Sequence, residues 1–302
     1  MTVRPNNDIF FLSKLKKENI DCRGVFQMDY KRILTIQDIS CVGQCSLTVA
    51  LPILSACGVE TAVLPSAVLS THTAGFSGFT FRDLTDDMPA IAQHWCKEGI
   101  KFDGIYTGYL GSIKQIDYVK DIIDTCLKDG ALTVIDPAMA DNGALYSIFD
   151  MAYVEAMKKI CFCADILLPN ITEACFLTGI PYKTEYDKDY ILDICKALTD
   201  SGAKSVVLTG VSYSESTTGV VVYENGEYSY YEHRKISKGC HGTGDVYASA
   251  FVGALMRGKT NFESAKIAAD YTVKCIENTQ GDADHWYGVK FETAIPDLIN
   301  MI

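Results

Sequence analysis

The sequence predicts an α/β fold: a mainly parallel central sheet with helices on both faces, a three-layer sandwich, and an antiparallel hairpin at one edge. Two observations predict it. From Ile33 onward, short strand-like apolar runs alternate with amphipathic stretches of helical period, and such βα units lie parallel only when each helix crosses over a sheet face. Late in the series Asn225-Gly226, the strongest short hairpin signal, separates two strand-like runs. At 302 residues with 48% hydrophobic content, the chain can bury a large core.

Residues 1–27 hold Phe10-Phe11-Leu12 and a basic Lys14-Leu15-Lys16-Lys17 run, with no apolar core long enough for a secretory signal. They read as an N-terminal extension outside the fold, and residues 28–302, opening on Met28, as a single domain. Strands are expected near 33–37, 60–65, 103–108, 131–136, 164–169 and 204–209. Helices are expected near 45–57, 83–98, 113–129, 151–161, 171–178 and 187–202. Residues 217–223 and 227–232 form the hairpin, a helix follows Gly242, and helices near 262–277 and 291–300 close the chain.

A net charge of −11 argues against nucleic acid or an anionic membrane surface as partner, and no apolar run approaches the roughly 20 residues that span a bilayer. The twelve cysteines are scattered through apolar segments, which fits a reducing cytoplasm. Cys41/Cys45 and Cys161/Cys163 lack a second pair at zinc-ligand spacing and read as small buried hydrophobes.

Ligands of such sheets gather beyond the carboxyl ends of the strands, so the polar residues there are the ones to inspect. They are Asp38, Ser40 and Gly43 after the first strand, His72 and Thr73 after the second, and Tyr109 after the third. Asp136 and Asp141 follow the fourth, Asn170 and Glu173 the fifth, and Thr209 and Gly210 the sixth. Asp136 and Glu173 suit magnesium, which takes one or two carboxylates besides phosphate oxygens. Asn170 reads as the cap of the helix that carries Glu173, and His72 as a substrate group or a bridge between backbone groups.

The chain is organised around Gly242-Thr243-Gly244-Asp245, a glycine-punctuated turn opening a helix of small residues. The N–H groups that open such a helix and the helix dipole suit an anion such as a phosphoryl group in transfer. Asp245 there is either the helix cap or the base that takes a proton from an attacking hydroxyl.

This motif resembles the signature of ribokinase-like (PfkB-type) small-molecule kinases, and most closely that of their pyridoxal kinase branch. Gly108-Tyr109-Leu110-Gly111-Ser112, Asp136-Pro137 and Pro169-Asn170-x-x-Glu173 carry the likeness further, in the family's order, from about Arg32 to the C-terminal helix. The resemblance implies ATP-dependent phosphorylation of the hydroxymethyl group of a B6 vitamer, a small-molecule substrate, by a homodimer, and leaves open whether a monovalent cation assists. It implies that Asp245 is the catalytic base, with Gly242, Thr243 and Gly244 around the phosphoryl group. Asp38, Ser40, Gly43, Thr73 and Tyr109 would receive the vitamer. Asp141, Asn170, Glu173, Thr209 and Gly210 would hold nucleotide, and Asp136 and Glu173 magnesium.

Two departures bear on the substrate. Where close relatives have Gln-Ser-His, this chain has Gln37-Asp38-Ile39, a carboxylate able to pair with the amine of pyridoxamine. His241 resembles the hydroxymethylpyrimidine kinase branch, whose motif carries Cys at the place of Asp245. A kinase for hydroxymethylpyrimidine or another small alcohol is therefore the alternative, and a ligand-sensing, kinase-like protein the non-enzyme one. A dinucleotide-binding oxidoreductase would want a glycine-rich fingerprint after the first strand, and Gly43 stands there without it.

Overall fold

The computed structural model describes residues 30–236 and 241–302; the extension expected over 1–27 lies outside the described residues, as do 237–240. The apolar runs become strands β1 (Arg32–Ser40), β2 (Glu60–Leu69), β4 (Phe102–Thr107), β5 (Leu127–Ile135), β8 (Ile166–Leu167) and β9 (Ser205–Val211). Together with β3 (Phe81–Asp83), β10 (Thr217–Glu224) and β11 (Glu227–Arg234) they build one nine-stranded sheet in the order β11-β10-β9-β8-β5-β4-β1-β2-β3. Strands from β2 to β9 pair in parallel through β1, β4, β5 and β8. Both edges are antiparallel, β3 on β2 and the predicted β10–β11 hairpin on β9, with Asn225 and Gly226 at positive φ in its turn.

Period-2 alternation in the strands feeds two separate cores. Leu34, Ile36 and Ile135 point to one face, where they meet α2 (Met88–Lys97), α3 (Ile113–Cys126), α4 (Met151–Cys161), α5 (Ile171–Thr178) and α6 (Lys188–Asp200). Ile33 and Val134 point to the other, beneath α1 (Leu47–Ala56), α7 (Thr243–Met256), α8 (Asn261–Thr279) and α9 (Ile295–Met301). Helix α7 is buried from Val246 to Ala254 because its residues are small: a Cβ on Gly253 would lie 2.4 Å from the Cys57 Sγ at the end of α1. Side-chain caps open the other helices where Ser112, Asp150, Asn170, Asp187 and Thr260 accept from the N3 N–H. Of the ten described cysteines six are buried, Cys161 among them, as the reading of small hydrophobes requires. Cys41 and Cys163 depart from it: both are exposed, because they sit in turns just beyond β1 and α4 rather than inside those elements.

The helix expected over 83–98 is shorter than its sequence pattern. Asp83 ends edge strand β3 and accepts the Thr85 N–H, a turn that delays the helix to Met88. Likewise α3 stops at Cys126 rather than 129, because Leu127 already pairs with Phe102 in the sheet. A small hairpin, β6 (Ala140–Asp141) with β7 (Ala144–Leu145), follows β5 and had no strand signal of its own; Asn142 and Gly143 turn it at positive φ. No helix among the described residues is long and apolar enough to cross a membrane.

Candidate active site

At the carboxyl edge of the sheet, the N-terminus of α7 forms the centre. Gly242 is its N-cap at φ 76°, and a Cβ there would lie 1.7 Å from the Gln44 carbonyl oxygen, so only glycine lets this turn press against the loop after β1. A Cβ on Gly244 would meet nothing within 4 Å, so that side of the turn is open to a ligand. Thr243, Gly244 and Asp245 are the first three helical residues, at the end of α7 where the helix dipole is positive. Burial raises the Asp245 carboxyl to about 6, against the nearby Ser46 backbone N–H, which lowers it; the Asp38 charge adds a smaller rise.

The loop after β1 brings up the acceptor side. Asp38 is 5% exposed, and both its oxygens accept hydroxyls, Oδ1 from Ser46 at 2.6 Å and Oδ2 from Ser40 at 3.0 Å. Burial raises its pKa, and those hydrogen bonds pull it back. A substrate amine would meet a carboxylate that already accepts one hydroxyl on each oxygen. Gly43, at φ 121°, lies flat against His72, where a Cβ would fall 2.1 Å from the ring. His72 itself bridges backbone: Nε2 meets the Tyr287 carbonyl at 2.7 Å and Nδ1 accepts the Ala74 N–H at 3.1 Å. That leaves Nε2 as the protonated nitrogen and gives His72 the backbone-bridging role. Thr73 beside it is exposed. Tyr109 is half-buried, its ring centroid 5.7 Å from that of Phe149, and its hydroxyl is pushed up to about 12, first by burial and then by the Asp38 and Asp83 charges.

An open cleft of about 540 Å³ gathers four of the residues singled out from sequence, Asp141, Asn170, Thr209 and Gly210. Asn170 and Thr209 stand side by side because a parallel bridge continues the β8–β9 pairing beyond the strands. The cleft also takes in Tyr182, Tyr186, Tyr213 and Lys235, which the sequence reading missed. Lys235 carried a usable signal: a cation directly after the hairpin that precedes the glycine turn. The tyrosines had none, since they enter from loops whose course depends on the packed sheet.

Glu173 is 3% exposed and both its oxygens accept backbone N–H groups: Oε1 that of Met139 and Oε2 that of Asn170, each at 2.9 Å, the latter completing a capping box. Burial lifts it to about 7 despite these donors. Asp136, which accepts the Ala138 N–H at 3.1 Å, is raised by burial and then by the Glu173 and Asp245 charges. Asp136 and Glu173 are thus a pair of buried carboxylates whose repulsion a divalent cation would relieve. Among the described residues no three His, Cys, Asp or Glu side chains converge as a ready cage, so such an ion would draw its other ligands from phosphate and water.

Residues 51–288 match the phosphomethylpyrimidine kinase family. Among solved structures, the chain superposes on a Bacteroides thetaiotaomicron protein in an orthorhombic form with pyridoxal, at 37% identity and TM-score 0.85, covering 89% of this chain and 96% of that one. It also superposes on the pyridoxal kinase of Lactobacillus plantarum, at 32% identity and TM-score 0.83, over 90% and 97% of the two chains. A curated relative, the hydroxymethylpyrimidine/phosphomethylpyrimidine kinase of Haemophilus influenzae, is 25% identical over 85% of this chain and 97% of its own.

Proposed function

We propose, for a chain that belongs to the phosphomethylpyrimidine kinase family, that it transfers phosphate from ATP to the hydroxymethyl group of a B6 vitamer. The ribokinase-like fold and the likeness to the Lactobacillus plantarum pyridoxal kinase and the pyridoxal-bound Bacteroides protein support this acceptor. The observation that carries the chemistry is Asp245, a carboxylate with a raised pKa of about 6 in the first turn of α7, next to Gly244, where a Cβ would meet nothing within 4 Å.

At neutral pH Asp245 is ionised yet poorly solvated, which suits a general base. It takes the hydroxyl proton as the alcohol oxygen attacks the terminal phosphorus of ATP, and the bond from that phosphorus to the oxygen of departing ADP breaks. The N–H groups of Thr243 and Gly244, with Gly242 holding the turn, stabilise the charge that spreads over the travelling phosphoryl oxygens. Asp141, Asn170, Thr209 and Gly210 line the nucleotide cleft. Asp136 and Glu173 would hold magnesium, which neutralises charge on the nucleotide phosphates when bound. The loop from Asp38 through Ser40 to Gly43, with Thr73 and Tyr109, seats the vitamer ring. A homodimer is the assembly that the resemblance implies, and sedimentation tests it.

Hydroxymethylpyrimidine is the alternative acceptor, favoured by His241 and by the Haemophilus influenzae relative. Turnover of pyridoxal, pyridoxamine, pyridoxine and hydroxymethylpyrimidine with ATP and magnesium decides between them. The expected outcome is a higher kcat/KM for a B6 vitamer; preference for the pyrimidine overturns the assignment.

A further inference from the structure

Helix α2 is lightly anchored. Met88, in its first turn, is its one buried residue, whereas α3, packed beside it, buries five. The far end of α2 is held by Trp95, whose ring meets that of Phe102 edge-on at 5.4 Å between centroids. Cys96 follows, exposed to solvent, with its Sγ 3.4 Å from the Sγ of Cys126, the buried last residue of α3. Both are free thiols. Phe102 and Leu127, which open β4 and β5, pair just beyond them. The two sulfurs therefore meet at the amino edge of the sheet, at the opposite end of the strands from the candidate active site.

We propose that Cys96 and Cys126 are an oxidisable dithiol, a modification site at which a hydroperoxide converts the two thiols to a disulfide that staples α2 to α3. The sulfur of Cys96, the exposed member, attacks one oxygen of hydrogen peroxide. The O–O bond breaks, that oxygen stays on sulfur as a sulfenic acid, and the other leaves with the thiol proton as water. Cys126 then attacks the Cys96 sulfur: the S–S bond forms, the S–O bond breaks, and the departing hydroxide takes the Cys126 proton as a second water. Two thiols are oxidised and one peroxide is reduced, so no further reactant is needed.

The surroundings suit these roles. Burial raises the Cys126 thiol, which the Thr125 hydroxyl and the Lys101 ammonium offset only in part, so Cys126 stays protonated while peroxide reaches Cys96 first. From 3.4 Å, the sulfurs must close by roughly 1.3 Å to reach a bonded distance, a gap that rotation of the exposed Cys96 side chain covers. Lys101 also donates to the Thr125 carbonyl, which ties the end of α3 to the chain leading into β4. The staple thus joins the lightly anchored helix to one already fixed on the sheet.

The full chain is reduced, freed of reductant, treated with a slight excess of hydrogen peroxide, digested without reductant and mapped by mass spectrometry. The expected product is a Cys96–Cys126 peptide pair, lighter by two hydrogens than the two reduced peptides together and split by dithiothreitol. Amide exchange at the end of α2 should slow by about tenfold in the oxidised protein, because the helix can no longer open away from α3. Cys96→Ser should abolish both the link and the slowing. Cys126→Ser should leave Cys96 as a sulfenic acid that dimedone traps; if that variant does not fold, the exposed Cys96→Ser carries the comparison. Oxygen added at Cys96 of the parent with Cys126 still a thiol, or Cys96 linked to a different cysteine, overturns the dithiol. A Cys96–Cys126 link that leaves exchange in α2 unchanged overturns the staple.

Discussion

Glu173 and Asp245 occupy the same place in two helices, the third residue of the first turn, and both are carboxylates drawn into the protein. Glu173 bends back to its own N-cap, so that Asn170 and Glu173 satisfy each other's backbone and the remaining oxygen ties down Met139. Asp245 has a glycine for an N-cap, which offers no side chain to reciprocate, and the backbone N–H that lowers its pKa, that of Ser46, belongs to another loop. The same residue class at the same helical position is thus tied into its own helix terminus in α5 and stands outside such a box in α7.

The strongest way to break this contrast is Asp245→Asn. The amide keeps shape and can still accept a hydrogen bond but cannot take a proton, so kcat should fall about 10²–10⁴-fold while ATP binding, followed by calorimetry, stays near parental. Linkage gives an independent sign. The Asp245 pKa is raised from 3.8 to about 6, so its ionised form is disfavoured in the folded state and the stability advantage of the protonated form is lost as pH rises through about 6. Asp245→Asn should therefore melt no lower than the parent at neutral pH, and any gain should shrink on acidification. Parental kcat would overturn the base assignment and leave Asp245 as an ordinary first-turn acid of α7.

A smaller but still large effect is expected from Gly242→Ala. The added carbon meets the Gln44 carbonyl in a backbone region unfavourable to alanine, so the turn must shift away from the Ser46 loop. Activity should drop by at least about tenfold with a lower Tm, whereas Gly244→Ala, with open space at its Cβ, should leave the Tm unchanged. Equal Tm losses in the two variants would contradict the wedge between the glycine turn and Gln44.

The mildest effect on turnover is expected from Glu173→Gln. One of its two backbone donors would face an amide N–H₂, an unmade hydrogen bond of about 1–3 kcal/mol, so Tm should fall. The loss of a charge beside Asp136 should also raise the magnesium concentration needed for half-maximal turnover, with kcat recovering at saturation. An unchanged magnesium dependence would confine Glu173 to its capping role and leave Asp136 as the carboxylate for the ion.

The order of strands and helices was legible because periodicity is a local property: residues two or three to four apart share a face whatever the rest of the chain does. The hairpin, the capping residue Asn170 and the glycine turn were legible for the same reason, each being encoded within a few neighbouring residues. By itself the sequence therefore determined the α/β layering and the loops among which the site lies, and the motif Gly242 to Asp245 determined where its chemistry centres. Only the tertiary structure decided what the side chains do there. That Asp38 turns inward to Ser40 and Ser46, that His72 bridges Ala74 and Tyr287, and that Tyr186, Tyr213 and Lys235 reach the cleft beside Asn170 and Thr209 all depend on segments far apart in sequence. The β3 edge strand, too short for its alternation to show, exists because β2 offers it a free edge. A hydrogen bond or a shifted pKa is set by what stands within a few ångströms in space, and that list is written only when the sheet brings its carboxyl ends together.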